Sequence, residues 1–189
     1  MNLPNKLTLL RVFMIPLFLV FALWEFTSFN LLISLVIFAA ASITDMLDGK
    51  IARKYGLITA FGKFLDPLAD KALVMAALLV FVEKGWVSSV PVIIILFREF
   101  MVSALRLVVK SDDGTVVAAG WFGKLKTAFT MVAVVAVLFL HGIMAVGVGM
   151  PETAVHVIDA VLVWIAAVLT AGSGIQYLWS YRHAIDPNK

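Results

Sequence analysis

Four carboxylates and an arginine stand close together in an otherwise oily chain. Asp45 and Asp48 are three apart, Asp66 and Asp70 four apart, and Arg53 lies between the pairs. Each spacing places its pair on one face of a helix. Two neighbouring helices joined by a short turn bring all four carboxylates together. Four like charges cannot share a site undressed, because each disfavours ionisation of the others. Divalent cations resolve the conflict. Oxygen ligation without His or Cys favours Mg²⁺ or Mn²⁺ over Zn²⁺, and two such ions suit displacement at phosphorus. Gly49 and Ala52 follow Asp45 and Asp48 by one turn each, and Gly62 precedes Asp66 by one turn. Their missing side chains leave room for a ligand against helix backbone, although close helix packing alone explains each glycine or alanine taken singly. Arg53 extends the stripe and can hold a phosphate bidentately. Two metal ions and a nucleotide diphosphate satisfy this set better than internal salt bridges, for which nearby Arg and Lys are too few.

The surrounding elements must place these groups at a membrane. The 189 residues are 62% hydrophobic, with a mean hydropathy of +1.04. Ordinary soluble domains are nearer half apolar. Apolar runs of helix-spanning length recur, so the reading is an all-α integral membrane protein built as a bundle of six transmembrane helices. The absence of Cys excludes a disulfide framework and thiolate chemistry. Met1 to Arg11 leads into an apolar run without a small-residue cleavage site, so the first span is expected to stay in the mature protein. The segment 1–11 itself reads as a short N-terminal amphipathic surface helix, with Leu3, Leu7 and Leu10 opposite Asn5 and Lys6. Spans are expected over Val12–Trp24, from Leu31 to about Ile43 with a continuation to Tyr55, over Gly62–Val82, Pro91–Val109, Gly123–Leu140 and Ala154–Tyr181. Gly56 is expected to end the second helix, and Ser111–Gly114 to form a polar loop. The whole chain, 1–189, reads as one domain.

Charge placement orients the bundle. Lys6, Arg11, Lys50, Arg53, Lys54, Lys63, Arg106, Lys110, Lys124, Lys126, Arg182 and Lys189 fall at one end and Lys84 at the other. Both termini and the aspartates are therefore expected on the cytoplasmic side. Basic residues that flank membrane spans do not argue for nucleic-acid binding.

The run Asp45-x2-Asp48-Gly49-x2-Ala52-Arg53-x8-Gly62-x3-Asp66-x3-Asp70 resembles the signature of the CDP-alcohol phosphotransferase family at every fixed position and spacing. Eight fixed positions make a far more specific match than a lone glycine motif. The resemblance implies that an alcohol attacks a CDP-linked donor at phosphorus and that CMP leaves. It implies that Asp45, Asp48, Asp66 and Asp70 hold two Mg²⁺ or Mn²⁺ ions, that Asp70 is the general base, and that Asp48, Gly49, Ala52, Arg53 and Gly62 line the CDP site. It also implies a homodimer in a bacterial inner membrane, with membrane lipids as surroundings.

Two shorter segments bear on the alcohol. Asn5-x2-Thr8-x2-Arg11, and Gly123-Lys124-x-Lys126-Thr127 together with Arg98-Glu99, resemble the phosphatidylglycerophosphate synthase branch of that family. The donor is then CDP-diacylglycerol and the acceptor glycerol 3-phosphate. Asn5 and Thr8 are candidates to touch the nucleotide, with N-capping as the plainer role. Arg98, Arg106, Lys124 and Lys126 are candidates for the acceptor's phosphate. The plainer roles are membrane anchoring for the lysines, a Glu99 or aspartate ion pair for Arg98, and snorkelling for Arg106. Other acceptors remain open: an inositol phosphate, or phosphatidylglycerol as in cardiolipin synthases. His141, His156 and Asp159 read as structural. A divalent-cation transporter would place acidic residues on several helices near the bilayer midplane, whereas here they cluster on two helices beside an arginine. A prenyl transferase would use similar Asp-rich chemistry, but the Asp-Gly-x2-Ala-Arg core fits it less well.

Overall fold

A computed structural model describes residues 3–55, 60–113 and 121–182, with side chains described at 5–45, 65, 68–69, 71–106 and 121–182. Among the described residues there are six α-helices: α1 Leu3–Leu23, α2 Asn30–Tyr55, α3 Ala60–Glu83, α4 Ser89–Asp113, α5 Trp121–Ala145 and α6 Glu152–Ser180. Three are long and apolar enough to cross a membrane: Asn5–Leu23, Trp121–Ala145 and Glu152–Ser180. The apolar part of α2, Asn30–Asp45, is shorter. Both α3 and α4 have spanning length, but they carry Lys71, Arg98 and Glu99 within their apolar runs. Large apolar side chains such as Phe13, Val36, Phe97 and Val168 stay exposed around the bundle. Soluble bundles bury such residues, whereas a membrane-embedded one presents them to lipid.

Two expectations are corrected. The surface helix expected over 1–11 is not a separate element, because α1 runs unbroken from Leu3 through Pro16 to Leu23. Its polar residues Asn5, Thr8 and Arg11 are buried. They recur every three residues and so form an inward stripe, which ties this end of α1 to the bundle. The polar loop expected from Ser111 is helical through Asp113. Elsewhere the boundaries shift by a few residues: α5 continues past Leu140 to Ala145. The cap expected at Gly56 lies outside the described residues.

The core is assembled from one face of every helix. Phe18 and Ala22 of α1 meet Phe38 and Ala41 of α2, Leu73, Ala77 and Phe81 of α3, Val92 and Ile95 of α4, Val134 and Val137 of α5, and Val163 and Ala167 of α6. The Phe18 and Phe38 rings are tilted, with centroids 6.0 Å apart. Helix α1 lies against α2 and α3, α2 against α5, and α6 against both α4 and α5.

The turns at the end opposite the aspartates are closed by local chemistry. Gly85 has φ +72° and Gly147 has φ +96°, a region that costs a side-chain-bearing residue free energy. After α3, the Gly85 N–H donates to Val82 O (3.0 Å) and the Trp86 N–H to Phe81 O (2.9 Å). After α5, Gly147 and Val148 repeat the pattern on Met144 and Ile143. These are Schellman closures, which satisfy the last carbonyls of a helix. Asn30 performs the corresponding task before α2: its Oδ1 accepts from the Thr27 N–H (3.1 Å) and its amide donates to Trp24 O.

Candidate active site

The two acidic segments stand at the same end of the bundle. Helix α2 ends at Tyr55 and α3 begins at Ala60, and Asp45, Asp48, Asp66 and Asp70 all lie within about three turns of that connection. Asp48, Gly49, Ala52 and Arg53 are on the last turns of α2, and Gly62, Asp66 and Asp70 on the first turns of α3. Their side chains lie outside the described ones. Among the described side chains no group of three His, Cys, Asp or Glu gathers.

The Asp45 side chain is described, and it shows what surrounds this end. Its Oδ1 is 2.6 Å from Nη1 of Arg11, whose side chain is fully buried while that of Asp45 is 37% exposed. At this distance the two groups form a close ion pair. It ties Asp45 to the polar stripe of α1. Asn5 and Thr8 continue that stripe towards the start of α1, and both are buried. The structure thus aligns both residues expected at the nucleotide with the first aspartate. Sequence reasoning named Arg11 as part of a motif and among the charges that orient the bundle, and gave it no partner. Its spacing of three from Thr8 was the signal that it shares an inward face.

A second polar cluster lies deeper, between α3, α4 and α5. Arg98 and Lys126 are both buried, and both are paired with the same acid. Nη1 of Arg98 is 3.2 Å from Oε1 of Glu99, and the Lys126 ammonium is ion-paired with that same oxygen. Ser103, one turn on, donates to the Glu99 carbonyl at 2.6 Å and accepts from Lys71 Nζ. Lys71, Glu99, Lys126, Thr127 and Thr130 share the wall of a cavity of about 60 Å³ with apolar residues including Leu78 and Met131. That space holds a few waters or a compact polar group. Lys71 follows Asp70 directly on α3, so the cavity lies at the level of the last aspartate. No sequence signal singled out Lys71. Only the packing of α3 on α4 brings it to Ser103.

Helix α6 supports this cluster from behind. A Cβ built on Gly174 would lie 2.8 Å from Cγ of Arg98, closer than real contacts allow. The glycine therefore makes room for the arginine stem. Of the four cations expected to face an acceptor phosphate, the structure brings Arg98 and Lys126 together and leaves Arg106 and Lys124 exposed. Arg106 lies over the ring of Tyr177, 5.6 Å from its centroid. The ion pair with Glu99 is the plainer role weighed for Arg98. It is present, and Lys126 shares it.

The remaining titratable residues singled out in the sequence sit at the other end. Nε2 of His141 is 2.7 Å from Oδ2 of the fully buried Asp159. The His141 ring stacks on Trp86 with centroids 3.7 Å apart, and His156 meets it edge-on at 6.2 Å. This group fastens α5, α6 and the turn after α3 to one another.

Residues 1–172 match the family model described as CDP-alcohol phosphatidyltransferase. The chain belongs to the CDP-alcohol phosphatidyltransferase family. Within the family it is 43% identical over 187 residues to the CDP-diacylglycerol–glycerol-3-phosphate 3-phosphatidyltransferase of Bacillus subtilis, covering 93% of each chain. It is 38% identical to the protein of the same name from Haemophilus influenzae, over 94% of this chain and 91% of that one. It is 37% identical to that from Rickettsia felis, over 93% of each. The match extends well beyond the aspartate segment and takes in all of α1, where Asn5, Thr8 and Arg11 lie, and α4 and α5, which carry Arg98 and Lys126. As a CDP-alcohol phosphatidyltransferase, the chain is an enzyme that transfers a phosphatidyl group.

Proposed function

We propose that this protein transfers the phosphatidyl group of CDP-diacylglycerol to glycerol 3-phosphate, giving phosphatidylglycerophosphate and CMP. The observation that carries the choice of acceptor is the buried Arg98–Glu99–Lys126 cluster with Lys71, at the level of Asp70. An acceptor bearing a phosphate dianion has cations to meet there, whereas serine brings a single carboxylate offset by its own ammonium group. The names of the relatives from three bacteria support the same acceptor.

The carboxylates fit divalent cations by the chemistry of the donor set: four hard oxygen donors on two adjacent helices, with His and Cys lacking from both segments. Asp45, Asp48, Asp66 and Asp70 would hold two Mg²⁺ or Mn²⁺ ions, which when bound neutralise the donor's diphosphate and polarise it at phosphorus. Arg11 orients Asp45 through the 2.6 Å contact. Asn5 and Thr8 from α1, with Asp48, Gly49, Ala52, Arg53 and Gly62, bind the cytidine diphosphate; Arg53 offers a bidentate fork to it. Arg98 and Lys126 hold the acceptor's phosphate, with Arg106 and Lys124 at the entrance. Asp70 takes the proton from the acceptor hydroxyl. The freed oxygen attacks the phosphatidyl phosphorus, the bond from that phosphorus to the oxygen of CMP breaks, and CMP departs with the electron pair.

The same reading places six helices across a bacterial inner membrane, with the aspartates and both termini cytoplasmic and two copies forming the enzyme. Helix α2 has 26 residues. At roughly 1.5 Å each it reaches about 39 Å, longer than the roughly 30 Å hydrocarbon layer, so its acidic last turns extend into the headgroup region. Cations in the interior argue against a cation pathway: Arg11, Lys71, Arg98 and Lys126 all point inward and would repel the cargo.

The test is CMP release by purified protein given CDP-diacylglycerol and Mg²⁺ or Mn²⁺, with glycerol 3-phosphate, myo-inositol 1-phosphate, serine and phosphatidylglycerol offered separately. Release confined to glycerol 3-phosphate is expected. Release confined to another alcohol would overturn the acceptor assignment and leave the chemistry standing.

A further inference from the structure

We propose that Glu99 is a built-in counter-anion for the acceptor-phosphate site: its carboxylate occupies Arg98 and Lys126 while the site is empty, and an incoming phosphate displaces it. The inference rests on the reading of Arg98 and Lys126 as the acceptor's phosphate ligands.

Three observations carry it. First, a single oxygen, Oε1 of Glu99, meets both cations, at 3.2 Å from Arg98 and in direct contact with Lys126. This is the bridging position that an oxygen of a phosphate takes between two cations. Second, all three side chains are largely buried, with exposures of 9%, 16% and 11% for Arg98, Glu99 and Lys126. Two buried cations without a counter-charge would be strongly destabilising in an apolar bundle. A resident carboxylate removes that cost in the absence of substrate. Third, Glu99 and Lys126 line the cavity at the level of Asp70, alongside Lys71 and Thr127. The carboxylate therefore stands where a ligand would arrive, and the displaced side chain has polar neighbours to turn towards.

The arrangement has a consequence for specificity. A carboxylate already on the cations competes with every anion that enters. A singly charged group is poorly matched to displace it. A phosphate dianion brings two charges and several acceptor oxygens and is favoured. Glu99 thereby weakens phosphate binding in general and sharpens the preference for the more highly charged acceptor. It is a positioning residue and takes no part in the chemical step.

The test compares wild type with Glu99→Gln and Glu99→Asp in detergent, using glycerol 3-phosphate as acceptor and inorganic phosphate as probe. Gln removes the competing charge. Asp keeps the charge, and with it the fold, but draws the carboxylate back by one methylene. Removing a unit charge beside the site is expected to lower the acceptor KM about tenfold in Glu99→Gln and roughly twofold in Glu99→Asp, with the CDP-diacylglycerol KM unchanged in both. Inorganic phosphate should inhibit Glu99→Gln at about tenfold lower concentration than wild type. It should also raise the melting temperature of that variant more than that of wild type, because it then meets cations without competition from the Glu99 carboxylate. An acceptor KM that rises or stays constant in either folded variant, with wild type turning over glycerol 3-phosphate, would overturn the counter-anion role alone. Wild type that releases no CMP with glycerol 3-phosphate would instead overturn the acceptor assignment on which it rests.

Discussion

Replacing Arg11 with Met separates two proposed roles of one side chain, holding α1 to α2 and orienting Asp45. Met fills most of the volume of the arginine stem and removes the guanidinium that meets Asp45 at 2.6 Å. Taking the charge centres as about 4 Å apart and an effective dielectric of about 20, the bare attraction is roughly 4 kcal/mol. Asp45 is 37% exposed, so water already screens part of it. About 1–3 kcal/mol is the expectation for the ion pair once that screening is included. If Asp45 is a metal ligand, losing the partner that orients it should also weaken metal binding, typically by about 10–100-fold. The assay is CMP release as a function of Mn²⁺ concentration, alongside the melting temperature in detergent. The Mn²⁺ concentration for half-maximal rate should rise about tenfold or more in Arg11→Met, with a melting temperature lowered by several degrees. Arg11→Lys, which keeps the charge without the fork, should fall between. A lowered melting temperature with unchanged or tighter Mn²⁺ dependence would refute the orienting role. Arg11 would then compete with the metal for Asp45.

The remaining expectations concern the base, the acceptor pocket and the opposite end. Asp70→Asn should abolish turnover while leaving the melting temperature near that of wild type; substantial activity in the variant would remove Asp70 as the base. Arg98→Ala should raise the acceptor KM more than the donor KM, which initial-rate kinetics with each substrate varied would show, and an unchanged acceptor KM would remove Arg98 from the pocket. Gly174→Ala places a Cβ 2.8 Å from Cγ of Arg98. Overpacking of this kind costs about 1–3 kcal/mol, and the forced shift of Arg98 should raise the acceptor KM severalfold, measured in the same kinetics. Asp159→Ala leaves His141 without its buried partner. Losing a buried hydrogen-bond partner costs about 1–3 kcal/mol, so the melting temperature should drop by several degrees, while the acceptor and donor KM of the folded fraction stay unchanged.

Fold class and reaction class were both legible in the sequence, and for the same physical reason. Lipid makes burial of charge so costly that an acidic cluster in an oily chain must have ligands, and the spacing of Asp45, Asp48, Asp66 and Asp70 encodes which helix faces carry them. The number and type of the helices followed from the length of the apolar runs. Where local patterning was weak, the reading missed. The segment 1–11 has leucines at helical spacing and reads as a surface helix. Whether its polar side or its apolar side turns inward depends on partners far along the chain, and Asp45 decides it by meeting Arg11.

The proposed acceptor pocket shows the same division. Arg98, Lys126 and Lys71 are far apart in sequence, and nothing local tells a cation that anchors a helix at the interface from one that lines a cavity. Helix packing made that choice. It buried Arg98 and Lys126 around Glu99, brought Lys71 to Ser103, and left Arg106 and Lys124 exposed. The sequence by itself determined that this protein is an apolar helical chain of a phosphatidyltransferase family and where the proposed carboxylate centre lies, because those readings follow from composition and from spacing along single helices. Only the tertiary structure decided which cations share a site and which acid holds them, because ion pairs between helices depend on distances in space that no spacing along the chain specifies.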